Sequence, residues 1–406
     1  MIPRYTLVEH KTHPAIPLTL AERDALRRAH PRLRIEPTPG KDGHYDLTPD
    51  QQVGVIALPT LVLEIRPKVP LRSVLFLLSY ACGLARWDDA QTELADSVEL
   101  VELIAVLLAR SIQHATRRGL LHGYRSEDEA LPAPRGRILF DEQLRRRLGQ
   151  APPVEVRHDL FTADIVENRL LLAALDIARR LPLRAATTRH ALARAERAFG
   201  EVRRVHYTPT ALSEIRFTRL NAHYRTALAL AAVVLRAASV DLGTGGARAS
   251  AFLIDMNKVF EQFVRCALRE TANLAPKSLP DRSPPLFLDE TDHVELRPDL
   301  CVLAAGRVTW VGDAKYKLLA DGDHRHADLY QLLAYTIALG LPSGTLIYAA
   351  DGPAHTTDRI VRQSGKRLRL VALDLSGPPA AIRRQLLPVA ADVEANRARL
   401  LAPLAS

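Results

Sequence analysis

Cysteine is scarce: Cys82, Cys266 and Cys301 are the only three in 406 residues, they share no C-x-x-C spacing, and each sits in an apolar run. That excludes a zinc ribbon or a disulfide framework and reads as buried thiols in a reducing compartment, so a cytoplasmic location is expected. No stretch of membrane-spanning length is free of charge, and Met1 to Leu20 lacks an uninterrupted apolar core. Neither a transmembrane helix nor a secretory signal is therefore expected. The phosphate-binding pattern G-x-x-x-x-G-K-[ST] is missing: Gly40-Lys41 and Gly365-Lys366 have no glycine five positions before, and the glycines at 243 to 246 precede no lysine. A nucleotide-driven motor would have to be another chain. No serine or cysteine stands in a nucleophile-elbow context, and there is neither an internal repeat nor a low-complexity tract. Lysine is rare as well, 8 of the 55 basic residues.

What is present is basic. The net charge is +9 and the pI about 9.6, a balance that favours polyanions through counterion release, although arginine-rich composition can also be genomic. The length suffices for two or three domains. Two of the 8 lysines fall in one short motif, Asp313-Ala314-Lys315-Tyr316-Lys317, where background composition would have placed arginine. Fourteen residues before Asp313 stands Asp299, in Arg297-Pro298-Asp299.

Val294 to Leu303 and Arg307 to Lys315 read as strands joined by Ala304, Ala305 and Gly306, a short hairpin in which glycine can supply a positive φ. Counting back from the turn puts Asp299 opposite Gly312 or Asp313. Directly opposed residues on antiparallel strands have Cβ atoms about 5 Å apart. Asp313 and Lys315 lie two apart, so the pleat sends both to one face. Two carboxylates there can hold a hard divalent cation, and the lysine puts positive charge where an attacking water and a phosphate meet. Either motif alone is most often a pair of solvated charges at a strand end.

Ala251 to Thr271 reads as an amphipathic helix with Phe252, Met256, Val259, Phe260, Phe263, Val264 and Ala267 on its apolar face. Glu261 borders that stripe and is a candidate third carboxylate, or simply a surface glutamate. Asp328 to Leu339 reads as a second helix with Gln331 and Tyr335 four apart on one face. Leu346 to Ala350 and Leu368 to Leu375 read as further strands, and Pro379 to Leu401 as a closing helix. His324 and His326 with Asp321, Asp323 and Asp328 suggest a transition-metal site less well than a loop leading into the Gln331 helix.

The run Pro298-Asp299 … Asp313-Ala314-Lys315-Tyr316-Lys317, backed by Gln331-x-x-x-Tyr335, resembles the PD-(D/E)xK nuclease superfamily. More narrowly it resembles the McrC-type nuclease subunit of modification-dependent, 5-methylcytosine-specific restriction systems. Gly54-Val55-Ile56 with Ile65-Arg66-Pro67-Lys68, Arg135-Gly136-Arg137-Ile138, Asp164 with Glu167-Asn168-Arg169, and Asn257 to Phe263 carry that narrower likeness. The resemblance implies that Asp299 and Asp313 bind Mg2+, or Mn2+, with Glu261 as a further acidic ligand. It implies that Lys315 orients the attacking water, with Gln331, Tyr335 and Lys317 in support. It also implies double-stranded DNA as substrate and a ring-forming AAA+ GTPase of the McrB type as partner.

The expected architecture is mixed α/β in three segments. Residues 1–75 form a β-rich module, 76–240 a helical region suited to partner docking, and 241–406 a restriction-endonuclease-like PD-(D/E)xK domain. The segment 241–246 reads as the linker between the last two. Arg135 and Arg137, or the loop from Tyr124 to Pro134, are candidate partner contacts. Two alternatives remain open from sequence: a stand-alone nuclease or resolvase that needs no GTPase, and a non-catalytic adaptor that activates a ring NTPase.

Overall fold

The computed structural model describes residues 2–81, 99–205, 215–241, 249–317, 326–350 and 352–401. Cys82, the glycines at 243 to 246, and Asp321, Asp323 and His324 lie outside the described residues. Contacts gather the chain into two compact units, Met1–Leu100 with Ser239–Ser406, and Val101–Ala238. The N-terminal module is thus grouped with the C-terminal segment instead of standing as a third body. The cause is one strand, described next.

Strands β1 (Arg4–Val8), β6 (Val62–Arg66), β5 (Gln52–Ala57), β11 (Ala249–Asp255) and β10 (Ala238–Asp241) form a five-stranded sheet in that order. β1 and β6 run parallel, while β5 is antiparallel to both β6 and β11. The first residues of the expected helix from Ala251 are therefore strand. Phe252 and Ile254 are buried and Leu253 and Asp255 less so, an alternation of period two. The helix starts only at Met256, where the Asp255 carboxylate accepts hydrogen bonds from the backbone N–H groups of Asn257 and Lys258 at 3.1 and 3.4 Å. Gly54 permits the β5–β11 pairing. It has φ +142°, and a Cβ there would sit 2.0 Å from the Phe252 carbonyl oxygen.

A small sheet of β2 (His13–Pro17), β4 (His44–Thr48) and β3 (Arg34–Pro37) packs with the helix Leu20–Ala29. That helix begins in a capping box of Thr19 and Glu22. Leu7, Leu26, Leu47, Ile56 and Leu63 form the shared core.

The C-terminal sheet has the order β14 (Leu300–Ala304), β15 (Arg307–Lys315), β16 (Ser343–Ala350), β18 (Arg367–Asp374) and β17 (His355–Ile360). β15, β16 and β18 are parallel and the two edges antiparallel. The helix His326–Ala338 makes the crossover between β15 and β16. It packs against the sheet, as do the helices Met256–Thr271 and Leu387–Leu401. β16 is consequently buried along its whole length, as parallel strands covered on both faces are. The strand expected from Val294 to Leu303 is split, because β13 (Glu295–Leu296) pairs with β12 (Leu286–Phe287) before Pro298 interrupts. The closing helix is also split, into Pro379–Arg384 and Leu387–Leu401.

The second unit is not only helical. Alongside the helices Leu100–Ala115, Val166–Arg180, Ala186–Glu196 and Arg225–Ala237, β7 (Gly123–Leu131) pairs over nine residues with β9 (Val154–Thr162), which also pairs β8 (Arg137–Ile138). Much of the segment expected as a loop from Tyr124 is therefore strand. Its cross-strand contacts are polar, Asp128 with Arg157 and Ser126 with Asp159. No apolar period announces it. Among the described residues no helix is long and apolar enough to cross a membrane.

Candidate active site

The β14–β15 hairpin turns at Ala305 (φ 49°) and Gly306 (φ 76°), with Ala304 and Arg307 paired on either side. Two consecutive left-handed residues are a type I′ connection. From the turn the ladder runs Ala304 to Arg307 and Leu303 to Val308, then shifts by one residue, so that Val302 faces Trp310 and Leu300 faces Gly312. The extra residue is Thr309, which is buried and donates its hydroxyl to the Val302 carbonyl at 3.2 Å. This bulge decides the site. Without it Asp299 would fall opposite Gly312, on the wrong face; with it Asp299 falls opposite Asp313.

The two aspartates then interlock. The Asp299 backbone N–H donates to Asp313 Oδ1 at 3.2 Å, and the Ala314 N–H donates to Asp299 Oδ2 at 3.0 Å. Asp313 is 1% exposed, and the Lys315 ammonium is in direct ionic contact with its Oδ2. Burial, then the neighbouring charges of Asp313 and Glu261, push the Asp299 carboxyl up to about 8, against the opposing Ala314 hydrogen bond and Lys315 charge. For Lys315, burial pulls downward, but Asp313, and Asp299 and Asp328 beyond it, more than offset this and leave it above the ordinary lysine value. Lys315 is a cation throughout the neutral range.

Gln331 and Tyr335 meet as the helix spacing suggests, with Gln331 Nε2 donating to the Tyr335 hydroxyl at 2.7 Å. Tyr335 is buried, and burial followed by the charges of Asp313 and Asp299 raises its hydroxyl pKa, keeping it neutral. Lys317 is engaged elsewhere, donating to both carboxylate oxygens of Asp328 at 3.1 Å. Asp328 also accepts from the Tyr348 hydroxyl at 3.0 Å, and His326 is exposed and stacked with Tyr330. In the second unit, Arg135 contacts His158 Nε2 at 2.8 Å and Arg137 lies in β8, exposed and paired with Arg157.

Glu261 is brought to the site's electrostatic neighbourhood but not into a cluster. Its Oε1 accepts from Arg265 Nη2 at 2.6 Å, and the same nitrogen donates to the Asp299 carbonyl oxygen at 2.7 Å. Among the described residues no three His, Cys, Asp or Glu side chains gather closely enough to hold a metal ion. Arg265, which ties the helix to the aspartate, is the residue that sequence reasoning missed. Its position four residues after Glu261 was the available signal.

A hairpin in a mixed α/β sheet thus presents two facing carboxylates with a half-buried lysine on one of them, an arginine on the Asp299 carbonyl and a buried tyrosine within their electrostatic reach. A family model described as "McrBC 5-methylcytosine restriction system component" matches residues 47–349, well over half of the chain. The chain belongs to that family, and the McrC-type likeness read from its motifs is borne out. It is 28% identical over 114 residues to the type IV methyl-directed restriction enzyme EcoKMcrBC of Escherichia coli strain K12, a match spanning 28% of this chain and 32% of that relative. A chain of the refined half-complex from the tetradecameric assembly of Thermococcus gammatolerans McrB AAA+ hexamers with bound McrC shares its fold. The TM-score there is 0.56 at 21% identity, covering 95% of this chain and 100% of that one. A cryo-EM structure of the Thermococcus gammatolerans McrBC complex superposes less closely, with TM-score 0.43, 22% identity, and 66% and 88% of the two chains covered.

Proposed function

We propose that this chain is the nuclease subunit of a modification-dependent restriction complex. In this reading it hydrolyses phosphodiester bonds in double-stranded DNA with Mg2+, or Mn2+, in partnership with a ring-forming AAA+ GTPase of the McrB type. The observation that carries the reading is the facing of Asp299 and Asp313 with Lys315 alongside. The C-terminal sheet and its helices are then a PD-(D/E)xK core.

The residues fit a hard dication. Asp299 and Asp313 offer oxygen donors, and Mg2+ characteristically takes one or two carboxylates and keeps several waters, so a third protein ligand is not required. The site sets two carboxylates against one lysine, and the upward push on Asp299 comes first from burial and then from the neighbouring charges of Asp313 and Glu261. When bound, such a cation would activate water and polarise the phosphate. Asp299 and Asp313 would hold it. Lys315, fixed as a cation by Asp313, faces the developing negative charge of the phosphate. Tyr335, kept neutral, accepts a hydrogen bond from Gln331 and so restrains its side chain. Glu261, tied to Arg265, acts through its charge and by fixing the Met256–Thr271 helix against Asp299.

The partner reading is supported by the fold likeness to a chain of an assembly described as McrB AAA+ hexamers with bound McrC. The absence of a phosphate-loop motif in this sequence agrees with it. The Val101–Ala238 unit, with Arg135 and Arg137, is the docking part in this reading. Binding through phosphates would leave the choice of modified base to the partner.

The test is cleavage of methylated and unmethylated plasmid by the full chain, with Mg2+ and GTP, with and without an AAA+ GTPase partner of the McrB type. Asp313→Ala and Lys315→Ala should abolish cleavage while leaving GTPase stimulation in place. Cleavage undiminished in Asp313→Ala would remove the site assignment. Full activity without any partner would leave a stand-alone nuclease.

A further inference from the structure

We propose that Glu9, Lys68 and Tyr316 form a clamp that positions Lys315 from the far side of the β15 strand, making the N-terminal sheet part of the cleavage machinery. The proposal rests on the nuclease reading of Asp299, Asp313 and Lys315. Tyr316 follows Lys315 at the end of β15, and the pleat that turns Lys315 to the carboxylates turns Tyr316 the other way. Its side chain is 1% exposed, and its hydroxyl donates to Glu9 Oε1 at 2.8 Å, across 307 positions of sequence. Its carbonyl oxygen accepts from Lys68 Nζ at 3.2 Å, and the same ammonium stands 4.3 Å from the ring centroid. Glu9 and Lys68 are joined to each other, the Lys68 backbone N–H donating to Glu9 Oε1 at 2.7 Å.

Both residues lie just past the ends of the parallel strands β1 and β6, and the Glu9 N–H extends that ladder to the Arg66 carbonyl at 3.0 Å. The clamp is therefore mounted on regular backbone, the kind of support that holds a functional group within a fraction of an ångström. Simple packing does not account for it. Glu9 is 1% exposed, its Oε2 has no hydrogen-bond partner among the described residues, and burial drives its carboxyl above the ordinary value in spite of the Lys68 and Tyr316 bonds. An apolar pair would fill this space at lower cost. What the polar trio adds is direction: side chain and backbone of one residue are fixed together, one peptide away from the lysine that contacts Asp313.

The experiment uses the full chain with its GTPase partner, plasmid DNA and Mg2+, and compares Tyr316→Phe, Glu9→Ala and Glu9→Gln. Loss of the clamp should lower kcat by about ten- to a hundredfold, as for supports of ligating groups, with KM for DNA unchanged. Glu9→Gln, which keeps an acceptor oxygen, should recover most of the Glu9→Ala loss, a rescue that volume alone does not predict. Amide hydrogen exchange at Tyr316 and Lys317 should quicken in Tyr316→Phe. Wild-type kcat together with unchanged exchange in Tyr316→Phe overturns the clamp, and that variant decides the matter if Glu9→Ala fails to fold. If Asp313→Ala cleaves like the wild type, the nuclease site is what fails, and the exchange measurement still judges the clamp.

Discussion

Arg265→Leu tests the link between the Met256–Thr271 helix and the aspartate hairpin. Arg265 is 3% exposed and donates to Glu261 Oε1, the Asp299 carbonyl and Gln262 Oε1 at 2.6, 2.7 and 2.9 Å. The Glu261 side chain is 31% exposed, so its carboxylate can turn to water and its share of the loss is only about 0.5 kcal/mol. The Asp299 carbonyl loses a bond from a charged donor, worth roughly 1.5–3 kcal/mol. Losing the Gln262 bond costs about 0.5–1 kcal/mol, and relief of the buried guanidinium offsets part of the total. The expected net loss is about 2–3 kcal/mol, or a fall of roughly 4–5 °C in melting temperature. Arg265→Lys should recover little, because an ammonium does not reproduce the planar fork. Thermal melts of the single variants and of Arg265→Leu combined with Glu261→Gln give the coupling, expected at about 0.5–1 kcal/mol. A melting temperature for Arg265→Leu within about 1 °C of wild type would refute this account of the helix–hairpin link.

Gly54→Ala places a Cβ 2.0 Å from the Phe252 carbonyl oxygen at a φ of +142°. It should cost about 2–5 kcal/mol, seen as lost soluble protein or a lowered unfolding midpoint; a fully stable variant would contradict the tight β5–β11 pairing. Asp289 accepts hydrogen bonds from Thr291 Oγ1 and from the N–H groups of His293 and Val294, which lower its carboxyl to about 2. Because the folded value lies below the unfolded 3.8, the stabilisation is complete above about pH 4 and disappears as pH falls through about 2. NMR titration of the Asp289 carboxyl should show this low midpoint, and a value near 4 would contradict the hydrogen-bonded loop.

Strongly periodic or punctuated elements were legible in the sequence. The β-rich reading of residues 1–75 matches β5 and β6, short apolar runs bounded by turn residues, and the helical reading of 76–240 matches the Leu/Ala-rich helices Leu100–Ala115 and Val166–Arg180. Elements whose side chains carry no apolar period were not. β17, His-Thr-Thr-Asp-Arg-Ile, is an almost wholly exposed edge, and β7 is held by a nine-residue backbone ladder to β9 with polar cross-strand contacts. Local propensity does not register either kind of strand. The helix expected from Ala251 began five residues late because β5 was available to pair with Ala249–Asp255, and tertiary pairing outweighed helical pattern.

By itself the sequence determined the ingredients of the site. Asp313 and Lys315 share a face because a strand has period two, Gly306 makes a short hairpin feasible, and a family likeness of this length follows from motifs spread along the chain. It left Asp299 opposite Gly312 or Asp313. Only the tertiary structure settled that choice, through the Thr309 bulge, since a shift of one residue moves a side chain to the other face of the sheet. Tertiary structure also joined Arg265 to Asp299 and Glu9 to Tyr316. These contacts span 34 and 307 positions, distances over which no local periodicity extends and only the folded chain brings the partners together.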